Sequence, residues 1–332
     1  MGDDGARAPA PGPPAMICFR AFTKRYGRQM AVDSLSLEIA RPEVVALLGP
    51  NGSGKTTTLK AAAGLILPTS GEVLLGDPPR PAGVPEVRRV LSYLPQKVSF
   101  PDALSGNEVV EFYRELRGAA PERSREVLRF AALNGAGERL VSTYSGGMVQ
   151  RLGLAVAMLP EAPAFLLDEP TAALDPDGLC AFYGLVEHAR EDGRAVFFAS
   201  HQLGDAERLA DRFAVLVGGR LVASLNASEL KDRLSERGVM RLRLAARPAG
   251  LLAAVRIVAP GAAWAAEPRE RPSGRDEELI VPGPAAVRPR VLDAVRALGV
   301  EVRGRTAEEG RLDLLYRELV AEAGSSHEEV RR

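Results

Sequence analysis

Hydrophobic positions follow two rhythms along the chain. Short, wholly apolar runs recur at 44–48 (VVALL), 164–167 (AFLL) and 195–199 (AVFFA). Runs of that length without polar alternation predict strands buried on both faces, as in a parallel sheet. Between them lie stretches with apolar residues at helical spacing: 56–66 (TTTLKAAAGLI), 104–118 (LSGNEVVEFYRELRG), 121–135 (PERSREVLRFAALNG) and 175–193 (DPDGLCAFYGLVEHAREDG). The segment 17–27 (ICFRAFTKRYG) is strand-like. Val32, Leu35, Leu37 and Ile39 mark a further strand, and 71–77 (GEVLLGD) another. From about 104 to 160 the pattern is helical, and 205–223 predicts a helix followed by a hairpin at Gly218 and Gly219. Strands and helices in this order predict an α/β chain of parallel buried strands with an inserted helical segment.

After about residue 226 the rhythm changes. Strand 239–245, helix 250–255, strand 256–259, a loop, strand 278–281, helix 285–299 and strand 300–305 give the order βαββαβ, which predicts a small α+β, ferredoxin-like module. The segment 311–323 adds an amphipathic helix. The expected organisation is a tail over 1–16, a main domain over 17–225 with a helical subdomain at about 97–160, an accessory domain over 226–322 and a frayed end at 323–332.

Composition narrows the class. The 332 residues suffice for one large domain and a smaller one, and 43 basic residues balance 43 acidic ones. A net charge of zero offers no field to draw in a phosphate backbone, so no nucleic-acid partner is expected. Two distant cysteines, Cys18 and Cys180, make neither a disulfide framework nor a CxxC metal pattern. No apolar run reaches the length of a bilayer-spanning helix. The acidic, proline-rich start lacks the basic and apolar regions of a secretory signal.

The chemistry sits at strand ends. Residues 49–56 read GPNGSGKT, a GxxxxGK[ST] loop after a buried strand and before a helix. Gly49, Asn51, Gly52, Ser53 and Gly54 let the backbone curl so that several N–H groups and the helix N-terminus face one point. Lys55 is placed to neutralise β- and γ-phosphates, Thr56 to ligate Mg²⁺, and Thr57 continues the binding turn. Residues 165–169 (FLLDE) bring Asp168 to a strand end as a Mg²⁺ ligand, with Glu169 to orient and polarise an attacking water.

With these motifs in place, residues 17–225 resemble the ATP-binding-cassette ATPases, a P-loop NTPase family. Tyr26 in KRYG resembles the aromatic residue that stacks on adenine, and Gln96 in YLPQ the glutamine that senses Mg²⁺ and links to a transmembrane partner. YSGGMVQ, with Ser145, Gly146 and Gly147, resembles the signature; Asp175 in AALD resembles the subunit-contact aspartate; His201 in ASH resembles the histidine that contacts the γ-phosphate. The resemblance implies an ATPase using ATP and Mg²⁺, paired head to tail with a second copy of itself so that the signature acts on the partner's nucleotide. It also implies a separate transmembrane permease and a place on the cytoplasmic face of the inner membrane.

Within the family, segments 94–119, 144–159 and 200–223 look like the cassette subunit that serves nitrous-oxide-reductase copper-centre maturation, together with a permease and a periplasmic accessory protein. Met148, in the usual place of the signature glutamine, fits that branch. An exporter of drugs, lipids or other cargo is the alternative. A soluble, non-transport ATPase and a non-hydrolysing structural cassette are readings of other classes; the presence of Glu169 and His201 argues against the latter.

Overall fold

The structure is a computed structural model in which residues 15–133, 135–265 and 276–329 are described. The chain divides into two compact units, one made of the residues up to Ser224 together with those from Ala323 onward, the other running from Leu225 to Glu322.

The first unit opens with β1 (Ala15–Tyr26) and β2 (Gln29–Ala40), an antiparallel pair turned at Gly27. β3 (Val44–Leu48) is buried at every position, and the phosphate-loop sequence leads from it into α1 (Lys55–Ala62). The helix stops short of the apolar residues through Ile66 because Gly64 adopts φ +66°; a Cβ there would meet the Ala82 carbonyl at 2.1 Å. β4 (Ser70–Leu75) and β5 (Arg80–Pro81) complete a four-stranded sheet in the order β2-β1-β4-β5. β6 (Leu91–Leu94) then enters a second sheet, and the helical segment follows: α2 (Gly106–Arg117), α3 (Glu122–Phe130) and α4 (Gly146–Met158). Ser105 and Glu108 form a reciprocal capping box that starts α2, and Gly118 in the left-handed region ends it.

β7 (Ala164–Asp168), α5 (Pro176–Glu191), β8 (Ala195–Ser200), α6 (Leu203–Leu209), β9 (Arg212–Val217) and β10 (Arg220–Asn226) finish the unit. The six-stranded sheet runs β10-β9-β3-β8-β7-β6, with parallel pairing from β9 through β6. Phe19, Phe22, Val45, Leu47, Leu166 and Phe197 belong to one buried cluster, which holds strands of both sheets. Each such side chain contributes about 1.5–3 kcal/mol relative to exposure. β1, β2 and β4 thus form an antiparallel sheet of their own, a partition that strand patterning alone leaves open.

In the second unit, α7 (Ala227–Glu236) is a helix absent from the sequence expectation. Asn226 and Glu229 cap it reciprocally. β11 (Val239–Leu244), α8 (Leu251–Val258), β12 (Ala263–Trp264), β13 (Glu277–Pro282), α9 (Arg288–Ala297) and β14 (Val302–Glu308) follow. The strand expected at 256–259 is a correction: Arg256–Val258 is the last turn of α8, because Leu251 and Val255 are spaced to bury one helix face. The second strand is instead the short β12. The antiparallel sheet order β12-β13-β11-β14, with α8 and α9 as the crossovers, is the ferredoxin-like arrangement. α10 (Leu312–Glu329) runs through the segment expected to fray from 323. Of the tail expected over 1–16, residues 1–14 lie outside the described residues, while Ala15 and Met16 open β1. Most of the loop expected before 278 also lies outside them.

Candidate active site at the ends of the parallel strands

β3, β7 and β8 lie side by side and parallel, so their carboxyl ends deliver three loops to one place. This is where open α/β sheets bind ligands. From β3 comes the phosphate loop. Gly52 (φ +80°) and Gly54 (φ +104°) adopt left-handed backbone that glycine alone takes without strain. A Cβ on Gly54 would meet the Ala31 carbonyl at 2.4 Å, and one on Gly49 the Leu216 carbonyl at 2.3 Å. Ser53 is buried with its hydroxyl unpartnered, and its carbonyl accepts from the Gly219 N–H at 3.0 Å. The β9–β10 turn thereby braces the loop. Lys55, the first residue of α1, is buried and curls back to donate to the Gly49 carbonyl at 2.8 Å. Asn51 is exposed at the loop's rim, and Thr57 lies in the first turn of α1.

From β7 come Asp168 and Glu169. Thr56 Oγ1 donates to Asp168 Oδ1 at 3.2 Å, while Asp168 Oδ2 is buried and unpartnered. A hydroxyl beside a carboxylate with a free buried oxygen is a hard-oxygen donor set that fits Mg²⁺, which binds through one or two carboxylates rather than a full protein cage. Burial pushes the Asp168 carboxyl up; the Thr56 hydrogen bond opposes this, the neighbouring Glu169 charge adds to it, and Lys60 and Lys55 counter it. Glu169 sits at φ +50°, a strained position for a non-glycine residue, held by its N–H donating to the Ala199 carbonyl at 3.0 Å. Its buried carboxylate lies 3.5 Å from Lys55 Nζ and 2.5 Å from Nδ1 of His201, at the exit of β8. The His201 N–H also donates to Glu169 Oε2 at 3.2 Å.

Lys55, Thr56, Asp168, Glu169 and His201 are therefore one connected group. The remaining expected residues stand outside it. Gln96 is exposed, just beyond β6. Tyr26 is 48% exposed at the end of β1, with Lys24 Nζ 5.1 Å from its ring centre. Ser145 caps α4, accepting from the Met148 N–H at 3.2 Å, and Gly146 has open space where a Cβ would project. A Cβ on Gly147 would meet the Ala173 carbonyl at 3.2 Å. Asp175 caps α5 through the Gly178 N–H and pairs with Arg151 at 3.1 Å.

Sequence reasoning passed over two residues at the end of the signature-like segment, Gln150 and the adjoining Arg151. Gln150 donates to the Pro170 carbonyl at 3.4 Å, and the buried Arg151 joins Asp175 to the Ala132 carbonyl. Both fasten α4 to neighbouring loops. They follow Ser145 by five and six positions, on the helix itself, and only that spacing could have pointed to them.

Comparison with known proteins agrees with this geometry. The family model for ABC transporters matches residues 32–172. An uncharacterised ABC transporter ATP-binding protein of Bacillus subtilis strain 168 is 38% identical over 66% of this chain and 73% of its own length. A daunorubicin resistance ATP-binding protein of Streptomyces coeruleorubidus is 34% identical over 71% of this chain and 75% of its own. Among solved structures, a dimeric bacterial ABC transporter cassette aligns with a TM-score of 0.59 at 28% identity, covering 64% of this chain and 99% of that one. The chain belongs to the ABC transporter family, as an ATP-binding subunit with ATPase activity.

Proposed function

We propose that the chain hydrolyses ATP at the group around Glu169 and that this work drives a separate membrane permease. The observation that carries the proposal is the Glu169 carboxylate, buried and held between Lys55 and His201. Its fixed position and two flanking donors suit a group that aligns a water for attack. In this reading the glycine-rich loop, Asn51, Ser53, Lys55, Thr56 and Thr57 bind the phosphates, and Tyr26 stacks on the base. Asp168, Thr56 and Gln96 would hold Mg²⁺, which when bound neutralises phosphate charge. His201 orients Glu169 and contacts the terminal phosphate.

The exposed Ser145 and the open Gly146 at the N-terminus of α4 support a signature that serves a second copy of the chain, with Asp175 near the contact. Relatives whose solved cassettes are dimeric support the same pairing. Residues 17–225 are the catalytic domain in this proposal and 226–322 an accessory one. The complex works at the cytoplasmic face of the inner membrane.

The cargo we propose is an amphiphilic drug or lipid. Similar chains include daunorubicin, doxorubicin and linearmycin resistance ATP-binding proteins and a phospholipid-transporting ATPase. The second reading, nitrous-oxide-reductase copper-centre maturation with a periplasmic accessory protein, rests on segments 94–119, 144–159 and 200–223. Co-purification of the membrane partner decides between them.

Glu169→Gln tests the site. The variant is expected to bind ATP as the parent does, to accumulate as an ATP-dependent dimer, and to lose turnover by roughly 10²–10⁴-fold, the usual share of a general base. A variant that stays monomeric with ATP and still hydrolyses it would overturn the assignment.

A further inference from the structure

The loops leaving β7 and β8 are joined twice. The first link is Glu169 to His201. The second lies deeper and uses other residues. Thr171, two positions after Glu169, donates its hydroxyl to Asp205 Oδ2 at 2.7 Å; Asp205 stands four positions after His201, in the first turn of α6. Tyr183 of α5 donates its phenol to Asp205 Oδ1 at 2.8 Å. Thr171 and Asp205 are each 5% exposed. Both oxygens of the buried carboxylate are thus taken by hydroxyl donors, and among the described residues no cation pairs with it. Burial, with Asp205 beside it, pushes the Tyr183 phenol up, so it remains a donor. The Arg208 guanidinium, one turn along α6, lies 4.1 Å from the Tyr183 ring centre and fixes the ring from its face.

A buried carboxylate is costly unless fully hydrogen-bonded. Here that cost goes into a connection spanning the Glu169 loop, the helix α6 that follows His201, and α5. We propose that Asp205 is a positioning residue for ATP hydrolysis. With Thr171 and Tyr183 it holds the Glu169 and His201 loops in register through groups that do not themselves touch the nucleotide. This rests on the reading of Glu169 and His201 given above. Those two side chains must serve the reacting atoms, so their mutual contact cannot by itself keep the loops aligned throughout the cycle. The second link can, because the Asp205 carboxylate is held by the Thr171 and Tyr183 hydroxyls and by neither Glu169 nor His201.

The test is steady-state ATP hydrolysis and equilibrium nucleotide binding by the full chain carrying Thr171→Val, Thr171→Ser, Tyr183→Phe, Asp205→Asn, or Thr171→Val with Asp205→Asn. Val keeps the shape of Thr, and Asn keeps a side chain able to bond both hydroxyls. Thr171→Val is expected to lower kcat on the order of tenfold to a hundredfold, the effect of a small misplacement of reacting groups, with KM and ATP affinity unchanged. Thr171→Ser is expected to restore it, Tyr183→Phe and Asp205→Asn to lie between, and the double variant to be no slower than the slower single one. The proposal is overturned if Thr171→Val melts earlier but turns over normally per folded molecule, if KM rises in step with the fall in kcat, or if the two substitutions multiply. The parent and Glu169→Gln serve as references. Turnover equal in both would sink the reading of the site; a difference between them with a neutral Thr171→Val sinks only the positioning role.

Discussion

Asp168 carries the clearest electrostatic consequence of the site. Its carboxyl is pushed up chiefly by burial. A folded-state value above the unfolded one, about 3.9, means that its favourable contribution is fully present below that value and is lost as pH rises through the raised one. Above about 3.9 this desolvated group therefore counts increasingly against the stability of the metal-free protein. Asp168→Asn is expected to raise the melting temperature of the metal-free protein near neutral pH, and the gain should shrink as pH falls toward about 4. The same variant should lose the extra stabilisation that Mg²⁺ with ATP gives the parent. Thermal melts across pH, with and without Mg-ATP, check both. Gly54→Ala is the steric counterpart. At φ +104°, with the Ala31 carbonyl 2.4 Å from the added carbon, the loop has to shift. Loss of ATP binding, read by equilibrium titration, is the expected outcome. The readings proposed for Gly54, Lys55 and Asp168 are legible in the sequence because each rests on close neighbours in the chain. The partners of Asp205 are not, since Thr171 lies 34 positions away and Tyr183 22.

Among elements, α4 and α5 are fastened by one ion pair with an added task. Asp175 starts α5 as its N-cap and also neutralises Arg151, whose side chain is only 10% exposed. Asp175→Ala is expected to remove a cap worth about 1 kcal/mol and to leave a buried guanidinium short of its charge partner, a larger penalty. Asp175→Asn keeps the cap and loses only the charge. Urea melts of both should rank parent, Asn and then Ala from most to least stable. Helix periodicity announces α2 through α5, and the apolar runs announce β3, β7 and β8. The strand expected at 256–259 failed because four residues such as RIVA satisfy both rhythms; Leu251 and Val255 facing the module's core made them helix. The helix α7 escaped notice because it buries only Leu230 and Leu234, too few to set a period.

At the scale of the molecule, each unit has its own buried cluster, one centred on Phe19, Phe22 and Phe197 and the other on Met240, Leu242 and Leu279. Every residue of the candidate site lies in the first. A chain ending at Asn226 is therefore expected to fold and to hydrolyse ATP within a few-fold of the parent. A truncated chain that is folded by circular dichroism but inactive would assign the second unit a catalytic role.

The sequence alone determined the family, and it alone pointed to the glycine-rich loop, the carboxylates at a strand end and the signature-like segment, because these motifs are read from near neighbours in the chain. Tertiary structure alone decided that β1, β2 and β4 form a separate antiparallel sheet. It placed Glu169 between Lys55 and His201, and it gave Asp205 two hydroxyl partners from other elements. Those contacts join positions far apart in the chain, and their geometry is set by how the parallel strands stack side by side, a property of packing that no local pattern records.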